Sequence, residues 1–238
     1  MRYALYFTPH RDHPLTVAAA NWLGRDAFSG ADFPVADVHG FDADDLTKWT
    51  AEPRRYGFHG TLVAPVRLKP GLGEADAVRT AEYLVAQSPP TIIPRLRIAR
   101  LENFLALVPA VPNAELEALA SAAVDHFCAL RAPLTEHEIA RRNPDRLTDR
   151  QRAYLDRYGY PYVKDEYRFH MTLTGPVTEA EAARLEPILH DRFVQLLASP
   201  VDVDAVALFV EPEPGAPFTV HSTYRLCPNE IRKTVRHV

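Results

Sequence analysis

Four side chains of this sequence have the chemistry to act on a phosphate ester. They are His59 and Thr61 in Y-G-F-H-G-T-L-V-A-P-V, and His170 and Thr172 in Y-R-F-H-M-T-L-T-G-P-V. The two stretches, Tyr56 to Val66 and Tyr167 to Val177, agree at seven of eleven aligned positions: the tyrosines, Phe58/Phe169, both histidines, both threonines, Leu62/Leu173, Pro65/Pro176 and Val66/Val177. An unperturbed imidazole has a pKa of about 6.5, so near neutrality one ring can accept a proton while the other donates one. Phosphodiester cleavage uses both acts, deprotonating an attacking hydroxyl or water and protonating the leaving oxygen. Each transfer is typically worth about 10²–10⁴-fold. A threonine hydroxyl on the histidine's side can donate to a non-bridging phosphate oxygen as its charge develops.

A single His-x-Thr is ordinarily a polar pair on a half-exposed strand. Two copies in matching context argue for a catalytic pair, and an internal repeat is weighed before local detail. Each copy sits in an apolar run bounded by Gly and Pro, which reads as a short strand. Strand alternation points His59 and Thr61 one way and Phe58, Gly60 and Leu62 the other. His170 and Thr172 share a face likewise. The two imidazoles are expected on opposite sides of one groove, roughly 4–8 Å apart, a phosphate's reach with hydrogen bonds of about 3 Å on either side.

The elements that must position these groups read as follows. Arg2 to Thr8 is a strand ending at Pro9. Pro14 to about Phe28 is a helix with Leu15, Ala18, Ala19, Trp22 and Leu23 at helical spacing. Residues 29 to 52 read as loop with a short helical piece, and Tyr56 to Leu68 as the first motif strand. Glu74 to Gln87 is a helix, and Arg95 to Pro109 is two strands turning at Glu102 and Asn103. Asn113 caps the next helix. Residues 133 to 165 form a basic excursion with six arginines from Arg141 to Arg157, two short helices opening on the capping boxes Thr135/Glu138 and Thr148/Gln151, and a stop at Gly159. Behind the second motif strand, Thr178/Glu181 opens a helix in which Pro187 predicts a kink or a late start. Val203 to Val210 and Phe218 to Leu226 are strands, and the tail from Pro228 is basic. The order after each histidine is the same. The fold class is therefore α+β, a single bilobal domain over residues 1–238. Its two pseudo-symmetric lobes, each an antiparallel sheet with flanking helices, enclose a central groove. The repeats span about 54–110 and 165–227.

Composition bounds the partners. The 238 residues are 47% hydrophobic and 24% charged, enough to bury a core. The net charge of -4 argues against a duplex nucleic-acid binder. Two cysteines, Cys128 and Cys227, and no apolar signal core or spanning run point to a reduced, cytoplasmic protein away from the membrane. The expected partner is a small phosphorylated substrate; cofactor and metal are expected to be none. His10 and His13 have no Cys or acidic partners at metal spacing, and His221 reads as a solvated strand residue. The sequence leaves the oligomeric state open.

Paired His-x-Thr strands in two similar lobes resemble the two-histidine phosphoesterase superfamily. W-L-G-R-D at Trp22 to Asp26, R-R-Y-G-F-H-G-T-L at Arg54 to Leu62 and F-H-M-T-L-T-G-P at Phe169 to Pro176 are similar to a bacterial branch of it associated with phosphonate-degradation operons. The resemblance implies a metal-independent phosphodiesterase acting on a cyclic phosphate or small diester, with a phosphorylated sugar as a substrate class. It implies catalytic roles for His59, Thr61, His170 and Thr172. The alternative is a non-catalytic protein that binds a phosphorylated ligand in the same groove. Retention of both histidines and both threonines favours the enzyme, since Arg and Lys serve binding better.

Arg168, Tyr56, Tyr167 and Arg55 are the expected substrate-binding residues. Arg168 shares parity with His170 and Thr172, and its planar fork suits a phosphate. Its counterpart Gly57 would leave room for the substrate's bulk. The competing reading pairs Arg168 with Asp165 or Glu166 at the surface. Tyr56 and Tyr167 either stack on a base or sugar or staple the strand ends.

Overall fold

The computed structural model describes residues 1–34, 38 and 40–227. Strand β1 (Arg2–Phe7) is followed by α1 (Pro14–Leu23), which ends where Gly24 takes a left-handed φ of 76°. This glycine stop comes earlier than the apolar spacing suggested. Helix α2 (Ala43–Tyr56) is longer than expected and takes in residues assigned to loop and to the first motif strand. Leu46, Trp49, Thr50 and Pro53 make its buried stripe at i, i+3, i+4 and i+7. Strand β2 (Gly60–Val66), α3 (Glu74–Val85), β3 (Thr91–Ile93) and the hairpin β4 (Leu96–Leu101) and β5 (Phe104–Pro109) come next.

Helix α4 (Ala114–Cys128) is capped by the Asn113 side chain, which accepts from Leu116 N–H at 2.9 Å. The basic excursion holds α5 (Glu136–Ala140), a 3-10 turn at Pro144–Arg146 and α6 (Asp149–Tyr158), with both capping boxes formed. Gly159 stops α6 with φ 78°. Strand β6 (Met171–Thr172) is short, and both histidines stand one residue before their strands instead of inside them. Helix α7 (Glu179–Leu197) runs unbroken through Pro187, so the expected late start does not occur. Pro187 is exposed, so the carbonyl it leaves unpaired can meet water. Strands β7 (Val201–Val203), β8 (Ala205–Glu211) and β9 (Thr219–Arg225) complete the described chain; the tail from Pro228 lies outside it.

The fold is the expected α+β mixture of helices and antiparallel sheet. Seven strands run in the order β4-β5-β6-β2-β1-β8-β9, and β3 pairs with β7 separately. The motif strands β2 and β6 lie side by side at the middle of this sheet, joined through the single pair Gly60↔Met171, instead of facing each other across a gap. The hairpins are exchanged relative to the repeats. The β4-β5 hairpin follows the first motif in sequence but pairs with β6, and the β8-β9 hairpin follows the second motif but joins β1 and β2. Helices α3 and α4 pack on the β2, β8 and β9 side, and α7 packs on β4 and β5.

Register decides which face carries the chemistry. Gly60 pairs with both Phe7 and Met171, and Met171 with Leu107. These residues share the face that joins the main core, where Phe7, Leu107 and Met171 are buried among Leu5, Leu62 and Leu173. Burial of such side chains contributes about 1.5–3 kcal/mol each. Residues one position away point to the opposite face. There Tyr6 pairs with Thr61 and Ala106 with Thr172. This second face carries a smaller apolar cluster of Ala4, Tyr6, Ala27, Ala207, Phe209 and Phe218.

Candidate active site

The antiparallel register puts His59 across from Thr172 and Thr61 across from His170. All four side chains fall on the second face, with the histidines on a diagonal. Diagonal neighbours of an antiparallel pair lie about 7–8 Å apart. The four residues line one cavity of about 280 Å³.

Both rings are oriented in the same way. His59 Nδ1 lies 2.8 Å from the Gly57 carbonyl oxygen, and His170 Nδ1 lies 2.8 Å from that of Arg168. A carbonyl only accepts, so each Nδ1 carries the proton and donates it, and each neutral ring keeps Nε2 as its free lone pair. The repeat therefore reaches from the histidines back to the carbonyls two residues earlier. Gly57 bends this segment with φ 76°, and a Cβ there would come within 2.4 Å of Ala27 Cβ. That close packing corrects the idea that Gly57 leaves room for substrate. The glycine is needed for its backbone conformation and for the approach of Ala27.

The two sides differ in surroundings. His59 stacks on buried Tyr6, with ring centroids 3.8 Å apart, and its Nε2 receives the Thr61 hydroxyl at 3.2 Å. The ring contact of His170 among the described residues is the tilted ring of Phe104, at 5.5 Å. Burial lowers the His59 pKa to about 4, and the nearby His170 adds to the effect while the bond to Gly57 opposes it. Burial also lowers the pKa of His170, against its bond to Arg168. Both shifts favour the neutral ring at pH 7.

The other expected residues separate. Tyr56 lines the cavity, stacked on Phe218 at 5.0 Å. Tyr167 acts as a staple, its hydroxyl donating to the Thr61 carbonyl at 2.9 Å. Arg55 does not line the cavity. Its guanidinium joins that of Arg2 on the buried carboxylate of Glu211 and donates to the Gly215 carbonyl at 3.1 Å, because a buried carboxylate must be compensated. Arg168 borders a neighbouring cavity together with His170. Among the described residues it does not make the surface pairing considered for it: Asp165 is held by Arg150 and Tyr154, and Glu166 accepts from Gln151. His221 pairs with Glu74 at 3.1 Å, away from the site, and His13 caps α1. Among the described residues no three His, Cys, Asp or Glu side chains gather as a metal centre requires.

Several lining residues were missed. Tyr6 comes from β1, whose neighbour in the sheet was not known from the pattern. Arg142 and Tyr160 come from the basic excursion, with the Arg142 guanidinium 4.8 Å above the Tyr160 ring. Nothing local marks Arg142 among its arginine neighbours.

The helical segments brace the motif strands. Pro53 has no N–H, so the Trp49 carbonyl one turn earlier is left free, and it accepts the Gly175 N–H at 2.5 Å. Trp22 Nε1 donates to the Leu173 carbonyl at 2.8 Å, and buried Arg25 to that of Phe218 at 2.8 Å.

A family model described as a protein of unknown function, DUF1045, matches residues 61–219. The ribose 1,5-bisphosphate phosphokinase PhnN of Janthinobacterium sp. (strain Marseille) is 41% identical over 221 residues, 91% of this chain and 49% of that protein. The protein of that name from Laribacter hongkongensis (strain HLHK9) is 37% identical over 227 residues, 95% of this chain and 51% of its own. The chain thus spans about half the length of the curated relatives it matches. Similar solved structures include TT0787 of Thermus thermophilus, at TM-score 0.47 and 16% identity over 96% of this chain and 100% of that one. E. coli LigT complexed with 3'-AMP is similar at TM-score 0.42 and 12% identity, over 94% and 97% of the two chains.

Proposed function

The chain belongs to the DUF1045 family, and from that premise we propose that it is a metal-independent phosphoesterase that hydrolyses a cyclic phosphate or small phosphodiester with two histidines. The observation that carries the reading is the shared cavity of His59, Thr61, His170 and Thr172, with both Nδ1 atoms committed to carbonyls and both Nε2 atoms free of backbone partners.

The reaction balances with one neutral ring and one protonated ring. A water attacks phosphorus and gives its proton to Nε2 of the neutral ring as the new P–O bond forms. The opposite P–O bond breaks, and the leaving oxygen takes the proton from Nε2 of the other ring. An anionic phosphate between the rings favours protonation of one of them. His170 is the acid in this scheme, because it is less enclosed and lacks a stacked neighbour such as Tyr6. His59, which resists protonation, is the base. Thr172, whose hydroxyl has no hydrogen-bond partner among the described residues, donates to one non-bridging oxygen, and Thr61 rotates from His59 to another. Arg142 supplies a cation at the same cavity.

The relatives' name concerns a ribose bisphosphate. A phosphorylated ribose, as in phosphonate metabolism, is therefore the substrate class to test first. The kinase activity in that name is not carried over, because this chain spans only about half the length of the proteins that bear it. The experiment is a hydrolysis screen of cyclic phosphates and small diesters, with the double His59→Ala/His170→Ala protein as control. Turnover absent from the control supports the reading. Binding without turnover in the wild type would leave a non-catalytic binder.

A further inference from the structure

Beside the histidine cavity lies a second one of about 530 Å³, and the two share Thr61, Phe104, Tyr160 and His170. Three arginines border it, each from a different part of the chain. Arg100 comes from the end of β4, Arg146 closes the 3-10 turn, and Arg168 stands two residues before His170. Some arginines are matched to carboxylates, as Arg67 is to Glu138 and Arg150 to Asp165, and others, such as Arg95 and Arg97, form no ion pair among the described residues. The side chains of Arg100, Arg146 and Arg168 have no hydrogen bond or ion pair among the described residues. Two carboxylates, Glu102 and Glu166, also border the cavity. Glu166 accepts from Gln151 at 2.9 Å, and neither carboxylate pairs with the three guanidinium groups.

Three guanidinium groups outnumber the two carboxylates on this concave surface, and such an excess of positive charge raises the local concentration of an anion. A guanidinium's planar fork fits a phosphate through two charge-assisted hydrogen bonds. The histidine cavity already has a cation in Arg142, so the reacting phosphate does not account for the second group.

We infer that the cavity bordered by Arg100, Arg146 and Arg168 is a second-phosphate subsite, and that the substrate is a small molecule carrying a terminal phosphate in addition to the ester that reacts. The assignment of the reacting ester rests on the phosphoesterase reading; the anion subsite does not. Because Thr61 and His170 border both cavities, one small molecule can reach the histidines and the arginines together.

The test is calorimetric titration of the full chain with ribose 1,5-bisphosphate and with ribose 5-phosphate at low salt. The proteins compared are the wild type, R100Q, R146Q, R168Q and the triple variant, each checked for folding by circular dichroism. The wild type is expected to bind the bisphosphate about tenfold or more tightly than the monophosphate, as one added set of charge-assisted bonds implies. Each single change should shrink that ratio, and the triple change should bring it within about threefold. A wild-type ratio near one, a ratio unchanged in the variants, or failure of both ligands to bind overturns the subsite. Turnover of a simple cyclic phosphate, measured in parallel, separates the two readings. Hydrolysis with a ratio near one removes the subsite and keeps the phosphoesterase. A high ratio without hydrolysis of any cyclic phosphate does the reverse.

Discussion

The Tyr167 hydroxyl donates to the Thr61 carbonyl across 2.9 Å, tying the approach to the second histidine to the strand of the first. Pairing between β2 and β6 is otherwise the single register pair Gly60↔Met171, so this bond is part of what holds the two motifs in register. Tyr167→Phe keeps the ring and removes the bond. Urea unfolding should show a loss of about 0.5–1.5 kcal/mol, the net range for one hydrogen bond. Turnover should fall with it, because the spacing of the two histidines is loosened. A variant with wild-type stability would mean that the bond holds nothing.

Substitution of either histidine by alanine should lower kcat by about 10²-fold or more, the scale of one general acid–base contribution. Thr172→Val keeps the shape and loses the donor to the phosphate. It should cost less than either histidine change and act mainly on kcat. Activity should persist in chelator; a rate lost to chelator and restored by a divalent ion would point to metal chemistry instead.

The pH profile of kcat/KM should be bell-shaped, since it reports the free enzyme's acid and base. Burial lowers both histidine pKa values, His59 to about 4. The alkaline limb, where the acid loses its proton, should therefore begin below the usual imidazole value of about 6.5. The kcat profile should be displaced to higher pH, because bound phosphate stabilises the protonated ring. Coincident limbs in the two profiles would contradict this electrostatic account.

The same burial has a consequence for stability. An unfolded His59 takes up a proton below about pH 6.5, whereas the folded ring stays neutral down to about 4. The unfolded state binds more protons in that window, so stability falls as pH drops from 6.5 towards 4, and this contribution is fully present above 6.5. Denaturation curves at pH 7 and pH 5 should lie closer together for His59→Gln than for the wild type. An unchanged separation would count against a neutral, half-buried His59.

Gly60→Ala tests the crossing of the motif strands. A Cβ at Gly60 would come within 2.3 Å of the Phe169 ring, far inside contact distance. The ring is buried, so it cannot simply swing out. Overpacking of this kind costs about 1–3 kcal/mol. Phe169→Leu in the same chain should restore part of the loss, and the non-additivity measures the contact. A stable single variant would show that the ring moves freely.

Much of this molecule is local and was legible in the sequence. The His-x-Thr repeat, the hairpin turning at Glu102 and Asn103, the Asn113 cap, three capping boxes and the Gly159 stop each depend on residues a few positions apart. Parity alone put each threonine on its histidine's face. The amphipathic stripe of α2 was also present, but the polar residues around it and Pro53 obscured it. Pairing between distant strands has no such local signature. The exchange of the β4-β5 and β8-β9 hairpins, and the placing of β1 beside β2, follow from which apolar faces can be buried together. That choice brings Tyr6 beneath His59 and carries Arg55 away to Glu211. It also sets Arg142 at one cavity and Arg100, Arg146 and Arg168 around the next. The chain by itself determined which groups carry the chemistry, because residue type and strand parity are properties of neighbours in sequence. Only the tertiary structure decided which cations meet them, because a guanidinium's partner depends on strands and turns far apart in the chain.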